Sequence, residues 1–480
     1  MQRGVGRSVR SVITTLTAIV VLVFGAVFGA AFGAATSAQA RPADRPGPSG
    51  DGSQPLPGYT ISNPPLTPLT AGGAPTTVTQ GVYEHAAFDL EVPAHWNGQL
   101  VMWAHGYRGE GTVLTVDPPN YGLRQTLVDE GYAWAASSYT DNGYDVRSGV
   151  ISEHDLAQHV GALLHRRPVR TYIVGVSMGG QVIGRSLEQY PDFYAGALPM
   201  CGVLGDDRLF DFFTDYNLVA QDLAGVRAYP FPDDYQTTAV PTIESKLGID
   251  HLARGQSPTN PLGQQLQAIT VQQSGGPRPG ADASFSIWKD FLFSLGKPDN
   301  GGTLAQNPGR VAQNVLTRYT PNSPVDVNRT VQRVVPTDLR ARLTLDLTQI
   351  PRIVGDPRVP VLTLHGLGDM FVPFSMEEAY AQRVAWHGES NLLVQRAVRE
   401  AGHCEYTPVE VGQAWADLQK WVESRAHHGQ PVARPAGDVV TDPRVVAAPT
   451  YGCRFTDQTA YADPTHFPTR ALFAPCATTG

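Results

Sequence analysis

Between Tyr172 and Gln189 an apolar strand pattern changes into a helical one through Gly175-Val176-Ser177-Met178-Gly179-Gly180, and this junction constrains the fold more than any other stretch. A residue that turns a strand sharply into a helix takes a strained backbone conformation, and side chains at the neighbouring glycines would collide with it. The first N–H groups of the helix lack partners within it, and the positive end of the helix dipole lies beside the turn. Ser177 is therefore a candidate nucleophile, with the backbone N–H of Met178 as a candidate donor to an oxyanion.

The same rhythm extends on both sides. Gly98 to Ala104 is a short apolar run ending in His105-Gly106; Tyr132 to Ser137, Val169 to Val176 and Ala195 to Cys201 are further strand candidates. Tyr121 to Glu130, Glu153 to His165 and Ser177 to Tyr190 carry helical patterns between them. Apolar strands separated by such helices predict an α/β fold, a mostly parallel sheet with helices on both faces. Upstream, Val82 to Val92 alternates and reads as one period-2 strand closed by Pro93. Residues 78–205 thus form the first part of the core. The alternation stops over 206–349 and resumes in 350–426, with strands at Val359 to Gly366 and Asn391 to Val398 and a helix from Val409 to about Arg425. An insertion of about 140 residues reads as a lid, since long insertions in compact domains are usually functional. Its aromatic residues, among them Phe213, Trp288, Phe291 and Phe293, suit either a pocket for an acyl or aryl group or a small core of the lid's own.

The ends of the chain differ in character. Residues 1–40 hold Arg3, Arg7 and Arg10, no acidic residue, an apolar run from about Ser11 to Ala35, and Ala38-Gln39-Ala40. Charged start, apolar middle and small-residue site predict a secretory signal peptide cleaved after Ala40, with an uncleaved membrane anchor as the alternative. No Arg-Arg pair precedes the apolar run, which favours the ordinary export route. Residues 41–77 contain nine Pro and six Gly and read as an extended linker. Residues 427–480 are a Pro-rich tail with two of the four cysteines. With 18 Tyr, 17 Phe and 7 Trp the chain is too aromatic to remain disordered. A net charge of -8 offers no basic face to a phosphate backbone, so no nucleic-acid partner is expected.

A serine hydroxyl needs a base, and the base needs an orienting group. Asp369 lies in the loop beyond the Val361 to Gly366 run, and His403 in Ala401-Gly402-His403-Cys404 beyond the next strand. Asp206 and Asp207 are rival acids. His105 and His365 each end a strand before a glycine and read as structural. With the order Ser177, Asp369, His403, the chain resembles the α/β-hydrolases over residues 78–205 and 350–426. That resemblance implies a nucleophile elbow at 175–179, and an oxyanion hole formed by the backbone N–H groups of Tyr107, in His105-Gly106-Tyr107, and Met178. It further implies acyl transfer through an acyl-enzyme. No zinc-ligand spacing and no phosphate-binding glycine loop occurs, so no metal or other cofactor is expected.

Four cysteines in an exported chain suggest disulfides, and four allow three connectivities. Cys201 ends the strand after the nucleophile helix and Cys404 adjoins the candidate base, which favours Cys201 with Cys404 and Cys453 with Cys476. The His403-Cys404 pair is similar to the secreted feruloyl esterases and tannases, where a cysteine beside the nucleophile is bridged to one beside the base; here Val176 occupies the first position. The expected function is a secreted serine esterase acting on a small or polymeric ester, with no stable membrane association once the signal is removed. Amide or peptide hydrolysis by the same triad, and a non-catalytic binding role, are the alternatives.

Overall fold

The computed structural model describes residues 50–296, 310–426 and 431–476. The predicted signal peptide lies outside the described residues, as does part of the insertion, 297–309.

Eight strands form one sheet: β1 (Thr77–Tyr83), β2 (Ala86–Val92), β3 (Gln99–Ala104), β4 (Ala133–Ser137), β5 (Arg170–Val176), β6 (Gly196–Met200), β7 (Val361–Gly366) and β8 (Leu393–Val398). Their spatial order is β8-β7-β6-β5-β3-β4-β2-β1. β1 pairs with β2, and β2 with β4, in antiparallel fashion; the other five pairings are parallel.

The apolar character of the central strands follows from burial on both faces. Along β3, Leu100, Met102 and Ala104 point into one core, and Val101 and Trp103 into the other. The first core is closed by helices α2 (Val146–Leu163) and α3 (Met178–Gln189); the second by α1 (Leu123–Asp129) and the C-terminal α9 (Pro408–Ala426), whose Trp415, Leu418 and Trp421 are fully buried. Each such large apolar side chain contributes on the order of 1.5–3 kcal/mol by leaving water. Between β6 and β7 the insertion carries α4 (Arg208–Ala224), α5 (Val240–Leu247), α6 (Pro261–Gln273) and α7 (Ala281–Ser294); α8 (Ser375–Trp386) follows β7. Phe210, Phe212, Phe213 and Tyr216 of α4 are buried in the first core. Among the described residues no helix is long and apolar enough to cross a membrane.

Three expectations need correction. Val82 to Val92 is not one strand: Glu84 and His85, at φ 46° and 71°, turn the chain into a β1–β2 hairpin, and the left-handed turn carries no glycine to mark it. The second amphipathic helix begins at Val146, seven residues earlier than expected, because the Asp145 carboxylate accepts from the Ser148 N–H, 3.0 Å, and caps it. Residues 50–77 are not a free spacer. Their backbone is bonded to side chains of β1, β2 and α1: Leu66 N–H to Gln80, Leu69 N–H to Glu91, and the Thr67 carbonyl to Arg124. The segment also pairs its own backbone, Thr70–Ala71 with Ala74–Pro75, and Thr60–Ile61 with Val113–Leu114, and the polar side chains supply partners for groups those pairings leave over.

Candidate active site

Ser177 sits between the end of β5 and the start of α3 with φ 59° and ψ -124°. Its N–H donates to the Met200 carbonyl, 3.0 Å, and its carbonyl accepts from Gly180 and Val203 N–H groups at 2.8 and 3.2 Å. A side chain at Gly175 or Gly179 would run into the Ala104 carbonyl oxygen, so this turn lies against β3 only with glycine at both places. The sheet over-determines the strained residue and holds its hydroxyl at the carboxyl edge, 7% of the residue exposed.

Asp369, Ser177 and His403 come together there. His403 Nε2 is 2.7 Å from Ser177 Oγ, and His403 Nδ1 is 2.7 Å from Asp369 Oδ2. A carboxylate only accepts, so Nδ1 carries a proton and Nε2 is left to accept from the serine hydroxyl. Asp369 is fully buried, and its other oxygen accepts from the N–H groups of Phe371 and Val372 at 2.9 and 3.1 Å. Those two bonds fix the carboxylate in its loop.

The rival acids are engaged elsewhere. Asp206 accepts from Arg383 at 2.6 Å and from the Ile353 N–H at 2.8 Å, and Asp207 lies 3.3 Å from Arg342. His365 bonds Glu377 and the Val372 carbonyl; burial acts to lower its pKa, but the Glu377 partner outweighs it and the net shift is upward. His105 stacks on Tyr139 and contacts the Gly106 carbonyl; burial, helped by the Arg108 charge, pushes its pKa down to about 3. Both histidines hold backbone in place and make no hydrogen bond to Ser177 or Asp369 among the described residues.

A Cβ built on Gly106 would lie 2.9 Å from Ser177 Cβ, so the His105-Gly106-Tyr107 backbone passes directly against Ser177. The Tyr107 hydroxyl donates to Glu110 at 2.7 Å, which leaves the backbone as what this residue offers the serine. Met178 opens α3, at the helix end that lacks internal N–H partners.

The loop that carries His403 is secured from several directions. Cys404 is bonded to Cys201 at the end of β6, and Cys453 to Cys476 in the C-terminal segment. The Tyr121 hydroxyl donates to the Cys404 carbonyl at 2.8 Å. Trp288 of α7 donates from Nε1 to the carbonyls of Ala401, 2.8 Å, and Gly368, 3.1 Å. Thr469 accepts at Oγ1 from the N–H groups of Ala401 and Gly402, at 2.8 and 3.1 Å. Neither Trp288 nor Thr469 carries a local sequence signal for this task, because both meet the His403 loop only through the fold.

Phe371 packs against the His403 ring, centroids 4.8 Å apart, and Phe291 meets Phe371 edge-on at 4.7 Å. Trp288 and Phe213 complete this aromatic group. A separate polar cavity of about 580 Å³ lies between α4 and α8, lined among others by Arg208, Asp211 and Glu378, and none of Ser177, Asp369 and His403 lines it.

The eight-stranded sheet, with the strand-to-helix turn at Ser177 and the loops carrying Asp369 and His403 beyond β7 and β8, has the α/β-hydrolase fold. Solved structures of similar arrangement include an esterase from Aspergillus oryzae, 13% identical over 76% of this chain and 81% of that one with a TM-score of 0.46. Feruloyl esterase B of the same organism is 15% identical over 76% of this chain and 82% of that one, TM-score 0.43. No known family profile matches the chain. It is 33% identical to the o-phthalyl amidase of Xanthobacter agilis over 391 residues, 68% of this chain and 83% of that enzyme, and belongs to the same hydrolase family.

Proposed function

We propose that the protein is an exported serine hydrolase that cleaves a carboxylic acyl bond, with an amide of an aromatic acid as its first substrate class. The observation that carries the reading is the unbroken chain from Ser177 Oγ through His403 to Asp369, with both contacts at 2.7 Å on a strained elbow. In the first step His403 Nε2 takes the proton of Ser177 as its oxygen attacks the carbonyl carbon. The negative charge that develops on the carbonyl oxygen is met by the N–H groups of Met178 and Tyr107, each such donor being worth about 2.7–4 kcal/mol in other hydrolases. His403 returns the proton to the leaving group, and Asp369 steadies the imidazolium throughout. Water, activated by the same histidine, then releases the acid.

The sequence alone favoured an ester. A relative at 33% identity that is named an amidase moves the preference to an amide. The aromatic group of Phe371, Phe291, Trp288 and Phe213 beside His403 supports an aryl acyl group. Esters of the same acid are expected to react as well, because an alkoxide leaves more readily than an amine.

The test is covalent labelling by a fluorophosphonate probe, followed by turnover of matched aryl amides, aryl esters and acetyl esters. Labelling that is abolished in Ser177→Ala, with turnover of aryl amides, is the expected result. Absence of labelling in the wild type, or labelling unaffected by Ser177→Ala, would overturn the serine mechanism; turnover confined to esters would return the substrate to that class.

A further inference from the structure

Ala401, two residues before His403, is held at both ends of its backbone by segments that do not belong to the sheet. Its N–H donates to Thr469 Oγ1 of the C-terminal segment, 2.8 Å, and its carbonyl accepts from Trp288 Nε1 of the insertion helix α7, 2.8 Å. Each partner also reaches a second backbone group at the site. Thr469 Oγ1 takes the N–H of Gly402, the residue before the base, and Trp288 Nε1 reaches the carbonyl of Gly368, the residue before the acid. The indole N–H therefore spans the acid loop and the base loop, while the threonine oxygen collects two successive amides.

Both anchors are themselves supported. Thr469 donates from Oγ1 to Glu405 at 2.9 Å. The next residue, Arg470, is bonded to both oxygens of Glu410 at 2.9 and 2.8 Å and to the Glu405 carbonyl at 3.0 Å. Trp288 packs edge-on against Phe291, which packs against Phe371 on the His403 ring. Ala401 is fully buried, so its two backbone groups have no water to turn to if either partner is removed.

We infer that Trp288 and Thr469 are positioning residues for His403, and that together they make the base's geometry depend on the docking of both the insertion and the C-terminal segment. This rests on the serine-hydrolase reading above. Neither side chain contacts the triad side chains through a hydrogen bond; each acts through the Ala401 backbone. Removing either partner frees one end of that residue, and misplacing a catalytic group by about 1 Å costs up to about 100-fold in rate. Because both grips act on one residue, losing the second after the first adds little.

The experiment compares Trp288→Phe, Thr469→Val, the double variant and Thr469→Ser in the full chain. Fluorophosphonate labelling of wild type and Ser177→Ala comes first; if the wild type does not label through Ser177, the serine-hydrolase reading fails before this inference is reached. With that reading standing, each single variant is expected to lower kcat by about tenfold with KM nearly unchanged. The double variant should fall within about threefold of the poorer single one, the non-additivity expected of groups sharing a partner. Thr469→Ser, which keeps the acceptor, should restore kcat. Thermal midpoints separate this from unfolding, since the variants must be folded at the assay temperature. Unchanged kcat in the folded single variants, multiplicative losses in the double variant, or failure of serine to rescue would overturn the inference.

Discussion

Cys404 and Cys201 are bonded across 203 residues of sequence, with their Cα atoms 5.4 Å apart, so the residue following His403 is tied to the end of β6, the strand that follows α3. The link closes the whole insertion, together with β7 and β8, into one loop. On a chain-entropy estimate a loop of that length contributes ~5 kcal/mol, against ~3 kcal/mol for the short Cys453–Cys476 loop. The paired Cys201→Ser and Cys404→Ser variant is expected to lose more stability than the Cys453→Ser and Cys476→Ser variant. It is also expected to lose turnover at temperatures where it remains folded. Denaturation midpoints and kcat measured on the two variants check this; equal turnover in both would remove the special role of the first link.

Arg470 and Glu410 form an ion pair with both side chains 1% exposed. Arg470→Met would leave the Glu410 carboxylate buried without its cation, and such breakage costs about 3–5 kcal/mol. Replacing both by apolar residues of similar volume should recover much of that loss, since the desolvation cost of the pair disappears with it. Urea unfolding of the single and double variants distinguishes the two results.

Glu400 is fully buried, and neither carboxyl oxygen has a hydrogen-bond partner among the described residues. Burial, with the nearby negative charges of Asp369, Glu405 and Glu410, pushes its pKa well above the usual carboxyl range; Arg470 opposes the shift and does not cancel it. A folded-state pKa above the unfolded one means that the folded state binds more protons, so stability from this group falls as pH rises past about 4.5. Glu400→Gln cannot ionise. Its stability relative to wild type is expected to rise by about 1.4 kcal/mol per pH unit between the unfolded and folded pKa values. Thermal midpoints of the two proteins between pH 4 and pH 8 should diverge in that direction; parallel curves would show that Glu400 is not carried as the neutral acid.

Phe291 touches the Phe371 ring that packs on His403. An aromatic pair of this kind is worth about 0.5–1.5 kcal/mol beyond area burial, a factor of about 2 to 12. Phe291→Leu is expected to lower kcat/KM for aryl acyl substrates by that factor while leaving acetyl esters nearly unaffected. A parallel loss on both substrates would assign Phe291 to the insertion's core.

The parts of the site that were legible in the sequence are those whose chemistry is local. A glycine-flanked serine between a strand and a helix, and loops carrying Asp369 and His403 beyond apolar strands, are encoded in consecutive residues. What escaped was decided by distant partners. Glu84 and His85 turn a hairpin without glycine or proline, so alternation from Val82 to Val92 looked continuous. Residues 50–77 have the composition of a linker, yet Gln80, Glu91 and Arg124 provide the bonds that hold them on the sheet.

By itself, then, the sequence determined the mostly parallel sheet, the strained elbow and the residue types available at the sheet's edge, because strand burial and helix periodicity act over a few neighbouring residues. Only the tertiary structure decided how His403 is held. Trp288 and Thr469 reach Ala401 across 113 and 68 residues, and such contacts exist only after the insertion and the C-terminal segment have packed on the sheet. Buried backbone groups must find partners wherever the fold brings them, and no local pattern records which distant side chain will answer.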